Sequence, residues 1–424
     1  MEKRVLFAFP DYSHTCLRSV KLFTEKGYKV DIVVAYNYRL IPQFFGSISS
    51  PSFTKLYRRR RLMDQLMEDV PEGAVNVIHL SFIQFCRSFY KGHFVRKRPF
   101  FNILKDMIQE DISPNINYEK YKLFYLFDTV AYLFQEKAIE HGIKTILECR
   151  GPHFKFSQNL RLALEAKEKG LEPEVYVPNN QNDEWWYRKL ITEPEMADYL
   201  ICYSEFHAQQ YIENSSKRHD QVYLLPLPST IKKSKVSRKY NGKHISFYFA
   251  GNVTSLKGVN QLLKAWKEVQ SFFDDTIQAT LHIYGSCSEP IYLEEFGNIE
   301  SIHYHGKRLH HDLIQQIQQH DVCLFPSLLD SYGFVLQEAL QLNIPVISNL
   351  TSGASFLYEH EVHGFKCTNS YDVNELVKYI CQFIDNPNLI QEFSEALTHL
   401  PDYNENYMNT LGKKNIEKLF KEIT

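Results

Sequence analysis

Residues 321–349 read DVCLFPSLLDSYGFVLQEALQLNIPVISN. Two short apolar runs, VCLF and IPVIS, are bounded by turn formers and read as buried strands, while FVLQEALQL between them has helical spacing. Strand, loop, helix and strand in that order form the crossover unit of a parallel sheet. The unit puts Asp330 in the loop and Glu338 in the helix, so both carboxylates can face one elongated ligand and accept hydrogen bonds from its hydroxyl groups. Backbone N–H groups near Gly333 and Phe334, at the helix start, suit phosphate oxygens. With 50 acidic residues in the chain such a pair is common by chance, so the information lies in its position between two buried strands.

The same alternation extends outward. Upstream, FAGNVTSLKGVNQLLKAW from Phe249 runs from strand through a glycine loop into a helix. Loop glycines let a ligand approach the backbone, a helix start favours an anion, and Lys257 adds a full positive charge, which together suit a diphosphate. A solvated lysine on an ordinary strand-to-helix turn explains this segment equally well by itself. Strands HISFYFAG, ATLHIYG and SIHYHG, together with DVCLFPS and IPVISN, and helical segments at 260–272 and 312–320, make up a second alternation beginning at 244. In the first half RVLFAFP, YKVDIVVA, VNVIHLSF, KLFYLF, IKTILEC, DYLICYS and QVYLLP are strand candidates, with a helix at 19–26 and a turn at Gly27. The run STIKKSKVSRKYNGK, residues 229–243, has the polar composition of an exposed connector. The division expected is therefore 1–228, connector 229–243, and 244–424, whose last helix is a candidate to return to the first domain. Two doubly wound α/β domains facing across a cleft are the expected architecture.

Composition narrows the function. A chain of 424 residues, 44% hydrophobic and 23% charged, suits a globular enzyme of two domains. The net charge of −2 excludes a global attraction to nucleic acid, and no nucleic-acid partner is expected. Eight scattered cysteines without a CxxC pair support neither a metal cluster nor a disulfide framework. The opening MEKRVLFAFP is too short an apolar run for a signal peptide and reads as a first strand, and no stretch approaches the roughly 20 apolar residues of a spanning helix. A reducing cytoplasm is the expected compartment.

Taken in order, AGNVTSLKG, HIYGS, HGKRLHHDLIQQIQQHDVCLFPS, the acid pair across DSYGFVLQE, and IPVISNLTSGA followed by HGF resemble the donor-binding domain of family 4 retaining glycosyltransferases over residues 244–367. ITEPEMADYLICYSEFHAQQY resembles the helix, strand and serine turn that precede that family's interdomain connector. The resemblance implies the GT-B fold and transfer of a sugar, with retained configuration, from a nucleotide diphosphate sugar to a hydroxyl of a glycan or glycolipid. It implies no metal and no cofactor beyond the nucleotide-sugar co-substrate. By the same resemblance Lys257 contacts the donor diphosphate, Glu338 the ribose and Asp330 the transferred sugar, with Gly251, Asn252, Gly258, Gly285, Ser331, Tyr332, Gly333 and Phe334 completing the donor side. His153, in ECRGPH beyond the strand IKTILEC, stands where the family often holds the donor sugar with a histidine, and is the catalytic candidate beside Asp330. His14, in the first strand-to-helix loop with Asp11 and Ser13, and Arg150 are acceptor-side candidates. Two positions depart from the family pattern: Asn252 stands where arginine is common, and Asp330 where glutamate is usual. Lys307 or Arg308 is the candidate to supply the missing cation. The departures motivate an alternative, a catalytically weakened homologue that binds a glycan or a partner; a sugar-nucleotide epimerase on the same architecture is a second.

Segment 39–105 breaks the simple alternation and reads as helices laid over one end of the first sheet. It carries twelve Lys and Arg against four Asp and Glu, interleaved with aromatics in KLYRRRRL and FVRKRPFF. A solvated helix face, an RNA contact and peripheral docking on the inner face of an anionic membrane all use that chemistry; the last would bring the enzyme to a lipid-linked acceptor.

Overall fold

The computed structural model describes residues 3–9, 14–40, 51–95, 100–168, 184–240, 242, 244–272, 278–287, 290–369 and 371–424. Within them thirteen strands form two entirely parallel sheets. The first holds β1 (Arg4–Ala8), β2 (Lys29–Val33), β3 (Val75–Ile78), β4 (Leu123–Phe127), β5 (Lys144–Glu148), β6 (Tyr199–Cys202) and β7 (Val222–Leu224), in the order β3-β2-β1-β4-β5-β6-β7. The second holds β8 (His244–Ala250), β9 (Gln278–Tyr284), β10 (Ile302–Gly306), β11 (Val322–Phe325), β12 (Val346–Asn349) and β13 (Gly364–Cys367), in the order β10-β9-β8-β11-β12-β13. Central strands such as LFYLF of β4 are buried at every position, as strands covered on both faces by crossover helices must be. Strand order reverses between β1 and β4 and again between β8 and β11, and at such a switch point the crossovers leave in opposite directions and open a crevice at the carboxyl ends.

Each sheet has its own apolar core. Phe7, Phe124, Phe127 and Phe134 anchor the first, and Trp266, Phe247 and Phe383 one face of the second. The final helix, Glu405–Ile423, packs Ile416, Leu419 and Phe420 into the first core, with the Phe420 ring 4.9 Å from that of Phe23. Asn404 starts this helix by accepting a hydrogen bond from the Tyr407 N–H at 3.0 Å.

The connector after Pro228 is held more tightly than its polar composition suggests. Lys233 Nζ donates to Leu340 O at 2.9 Å, Leu397 O at 2.8 Å and Asn343 Oδ1 at 2.7 Å. It thereby satisfies carbonyls at the ends of the helices Phe334–Gln341 and Asn388–Thr398, where a cation is favoured. Burial pulls the Lys233 ammonium down to about 8. Segment 39–105 contains the helix Pro51–Asp69, then β3 at the sheet edge, then the helix Phe82–Tyr90, a wide turn at Lys91–Val95, and the helix Phe100–Asp106.

Candidate active site

The loops leaving β8, β9 and β11 lie against one another because glycines remove the side chains that would hold them apart. Gly251 follows β8 at φ 153°, its N–H bonded to Tyr284 O at 2.9 Å. A Cβ on Gly285, at φ 150°, would stand 1.6 Å from Gly251 O, and one on Gly258, at φ 73°, would stand 1.9 Å from Pro326 O. Gly258 closes the turn Ser255–Lys257 and starts the helix Val259–Gln270. The Asn252 side chain accepts a hydrogen bond from Ser286 Oγ at 2.8 Å.

This packing brings Lys257 to Asp330. The ammonium meets Asp330 Oδ2 at 2.5 Å, and Asp330 Oδ1 accepts from the Tyr332 N–H at 3.2 Å. A cavity of about 360 Å³ opens beside the pair. Gly251, Lys257, Asp330, Ser331, Tyr332, Gly333, Phe334 and Val335 line it from the second sheet, and Thr15, Arg150 and Tyr203 from the first. Gly333, at φ 93°, begins the helix Phe334–Gln341, so the cavity wall includes a helix start whose first N–H groups have no partner within the helix. Tyr332 is buried, and its hydroxyl donates to Leu227 O at 2.6 Å, fixing the loop to the segment that leaves β7.

The two halves touch at this loop. Ser331 Oγ donates to Arg150 O at 3.0 Å, and Ser204 Oγ donates to Ser331 O at 3.2 Å. Leu328 and Leu329 pack on Leu160 and Leu164 of the helix Phe154–Glu168. Arg150 is held by Asp128, with Nε to Oδ1 at 2.8 Å and Nη2 to the carbonyl at 2.9 Å. Tyr203 donates to the buried carboxylate of Glu148 at 2.9 Å, which also accepts from Ser19 Oγ at 2.7 Å and Tyr125 OH at 2.5 Å. Burial raises the Glu148 pKa against the opposing pull of these three hydroxyls.

Glu338 lies one helical turn below Phe334 and is buried. Its Oε1 accepts from His310 Nε2 at 2.7 Å and from Thr230 Oγ1 at 3.3 Å. The bond to Glu338 raises the His310 pKa. Lys307 and Arg308 are exposed on the loop after β10 and do not line the cavity. His153 is fully buried with neither ring nitrogen hydrogen-bonded, its ring edge-on to Tyr211 at 5.0 Å, and it does not reach the cavity. Burial pushes its pKa down to about 4. His14 opens the helix His14–Glu25, whose next residue, Thr15, lines the cavity; its side chain, and Asp11 and Ser13, lie outside the described residues. Thr15 and Asp128 belong to this arrangement without standing in any sequence motif, and Tyr203 and His310 belong to it from within the motifs DYLICYS and HGKRLHHD, which do not single them out as site residues. Among the described residues no group of three or more His, Cys, Asp or Glu is arranged to hold a metal ion.

No curated protein matches the sequence. The chain aligns with crystal structures of HepE from Anabaena in complex with UDP (TM-score 0.57, 14% identity, covering 98% of this chain and 100% of that one) and of a sucrose-phosphate synthase from Thermosynechococcus elongatus (0.58, 14%, 99% and 100%). It also aligns with WaaG, a glycosyltransferase involved in lipopolysaccharide biosynthesis (0.54, 12%, 97% and 99%). At such identities the likeness speaks for the fold. The two parallel sheets, of seven and six strands, are those of GT-B glycosyltransferases, and residues 230–399 match the family model for glycosyl transferases group 1.

Proposed function

We propose that the protein transfers a sugar, with retention of configuration, from a nucleotide diphosphate sugar to a hydroxyl of a glycan or glycolipid. The observation that carries this reading is the cavity in which Lys257, Asp330 and the helix start at Phe334 converge across from Thr15, Arg150 and Tyr203. Lys257 and the N–H groups at Phe334 and Val335 would take the diphosphate, Asp330 the hydroxyls of the transferred sugar, and Glu338 the ribose. In the reaction the bond from the anomeric carbon to the diphosphate breaks. The acceptor oxygen bonds that carbon from the same face, and its proton passes to the departing phosphate oxygen. No protein nucleophile is needed, so catalysis consists of positioning the substrates and stabilising the leaving group.

Without ligand, Lys257 is neutralised by Asp330, so the donor diphosphate competes with that carboxylate for the ammonium. Uridine diphosphate, which the HepE crystals contain, is the first probe. It should raise the melting temperature of the protein, since a ligand that binds only the native state stabilises by mass action. Lys257→Ala and Glu338→Ala should each weaken its binding by on the order of 1.5–3 kcal/mol, the cost of a charge-assisted hydrogen bond. Unchanged affinity in both folded variants would refute the donor-site assignment. Asp330→Asn should behave differently: nucleoside diphosphate affinity does not fall, because a competitor of Lys257 has gone, while sugar transfer does. The ion pair is also what a catalytically weakened homologue would present. Failure of the purified protein to transfer or hydrolyse any nucleotide sugar that it binds would favour that reading.

A further inference from the structure

The helix Phe82–Tyr90 has no buried residue, although it is closed by a capping box in which Ser81 N–H donates to Gln84 Oε1 at 3.0 Å and Gln84 N–H to Ser81 Oγ at 3.4 Å. Its inward side is occupied. Phe85 lies 5.2 Å from the Tyr36 ring, Phe85 and Phe89 pack on the first core, and Gly92 in the turn that follows sits so close to Ile103 that a Cβ would come within 2.8 Å of it. The outward side repeats at helical spacing through Phe82, Cys86, Tyr90 and Phe94, with Ile83 and Val95 alongside. Phe82 is 67% exposed, Ile83 80%, Tyr90 62%, Phe94 62% and Val95 66%. A contiguous apolar patch of this kind on a soluble domain marks a contact surface.

The charge around it identifies the contact. From Gly73 to Lys105 the sequence contains no Asp or Glu and six Lys and Arg, and Arg87 and Lys91 stand exposed on the helix and at its end. A second copy would set these cations against themselves, because a twofold interface pairs a patch with its own image. The arginine run 58–61 is compensated by comparison: Arg39 and Arg60 both pair with Asp64, at 3.1 and 3.3 Å, and Arg58 and Arg61 border a cavity that Glu68 and Asp69 also line. We infer that the outward face of Phe82–Tyr90 and its following turn is a docking surface for an anionic lipid bilayer, the rings entering the headgroup layer and Arg87 and Lys91 meeting lipid phosphates. No described helix is long and apolar enough to cross a membrane, so the contact is made from the surface. The helix follows the carboxyl end of β3, the end of the sheet at which the crevice opens. The inference does not depend on the reaction proposed above.

The experiment is co-sedimentation of the full chain with vesicles of phosphatidylcholine alone or mixed with phosphatidylglycerol, at low and high salt. The protein is expected on the mixed vesicles at low salt and in the supernatant at high salt or with phosphatidylcholine alone. Arg87→Ser with Lys91→Ser should weaken binding about fivefold per cation removed. A triple variant, Phe82→Ser, Ile83→Ser and Phe94→Ser, should fall to the phosphatidylcholine level, while substituting Arg58 and Arg61 has the smaller effect. All variants should keep the parent's melting temperature and uridine diphosphate affinity, a readout that reports on the donor site separately. Indifference of the parent protein to anionic vesicles at low salt overturns the inference, as does full binding by the triple variant. Sedimentation velocity showing a dimer that the triple variant dissolves, without vesicle binding, assigns the face to a second copy and overturns it too.

Discussion

Replacing Gly285 by alanine is expected to abolish nucleoside diphosphate binding and to lower stability by more than about 3 kcal/mol. The new Cβ would stand 1.6 Å from Gly251 O and 2.7 Å from its carbonyl carbon, and both of those are backbone atoms with no rotamer to change. Overpacking a rigid site costs about 1–3 kcal/mol, and forcing an alanine into a sparsely populated backbone conformation adds about 1–3 kcal/mol. Relief requires the loop that begins at Gly251 to move, and that loop carries Lys257 to the cavity. Gly258→Ala should fail similarly, its Cβ meeting Pro326 O at 1.9 Å. Gly142→Ala is the control. It has a comparable left-handed conformation, φ 62°, but nothing within 4 Å of the added Cβ, so it should cost only about 1 kcal/mol and leave ligand binding intact. Chemical denaturation and calorimetric titration with uridine diphosphate read both effects. Equal behaviour of Gly285→Ala and Gly142→Ala would show that loop contact contributes nothing to the site.

Those contacts explain why part of the candidate site is legible in sequence. Lys257 and Asp330 lie 73 residues apart, yet each follows a strand readable as a short apolar run, and β8 and β11 are neighbours across a switch point. Parallel topology converts two separate loops into one site. The strands themselves were mostly legible for the same reason: they are apolar on both faces and bounded by turn residues. β13 is the exception: GFKC is four residues long, begins with glycine and carries a lysine, so its sequence has no strand signature.

Contacts between distant side chains leave no such mark. Nothing local tells that Glu148 will accept from Ser19, Tyr125 and Tyr203, that Asp128 will hold Arg150, or that His310 will sit on Glu338. These pairs depend on how crossovers pack, which periodicity does not encode. Lys233 is the clearest case: a lysine in a polar, basic run reads as solvated, but it lands on two helix ends whose carbonyls need a donor.

The protein should lose stability steeply as pH falls from about 6.5 towards 4, because several histidines are folded into positions that only neutral imidazole can occupy. His207 is fully buried. Its Nε2–H donates to Gly151 O at 2.6 Å while Nδ1 accepts from the Tyr203 N–H at 3.2 Å, so a second proton would set N–H against N–H. Burial pushes it down to about 4, and does the same to His153 and His282. His320, bonded to Tyr284 OH, is pushed down to about 3, chiefly by burial and further by the charges of its neighbours His282, His305 and Arg238. With each folded pKa below the unfolded value, the unfolded chain takes the proton first. The stabilisation is complete above about pH 6.5 and shrinks as pH falls towards the folded pKa, amounting for His207 alone to on the order of 3 kcal/mol by pH 4. Glu193 acts in the opposite direction. Burial raises it to about 7, so the folded state takes its proton first and gains stability as pH falls from 7 to 4.5; Glu148, also raised by burial, has the same sign. Four histidines against two carboxylates leave a net loss. Urea midpoints measured from pH 7 to 4.5 should therefore fall, and two variants should change that slope oppositely. His207→Gln removes one acid-labile group and flattens the curve, whereas Glu193→Gln removes a compensating group and steepens it, whatever each costs at pH 7. A parent midpoint that stays level across the range, or a Glu193→Gln curve no steeper than the parent's, would show that these buried groups do not set the acid limit.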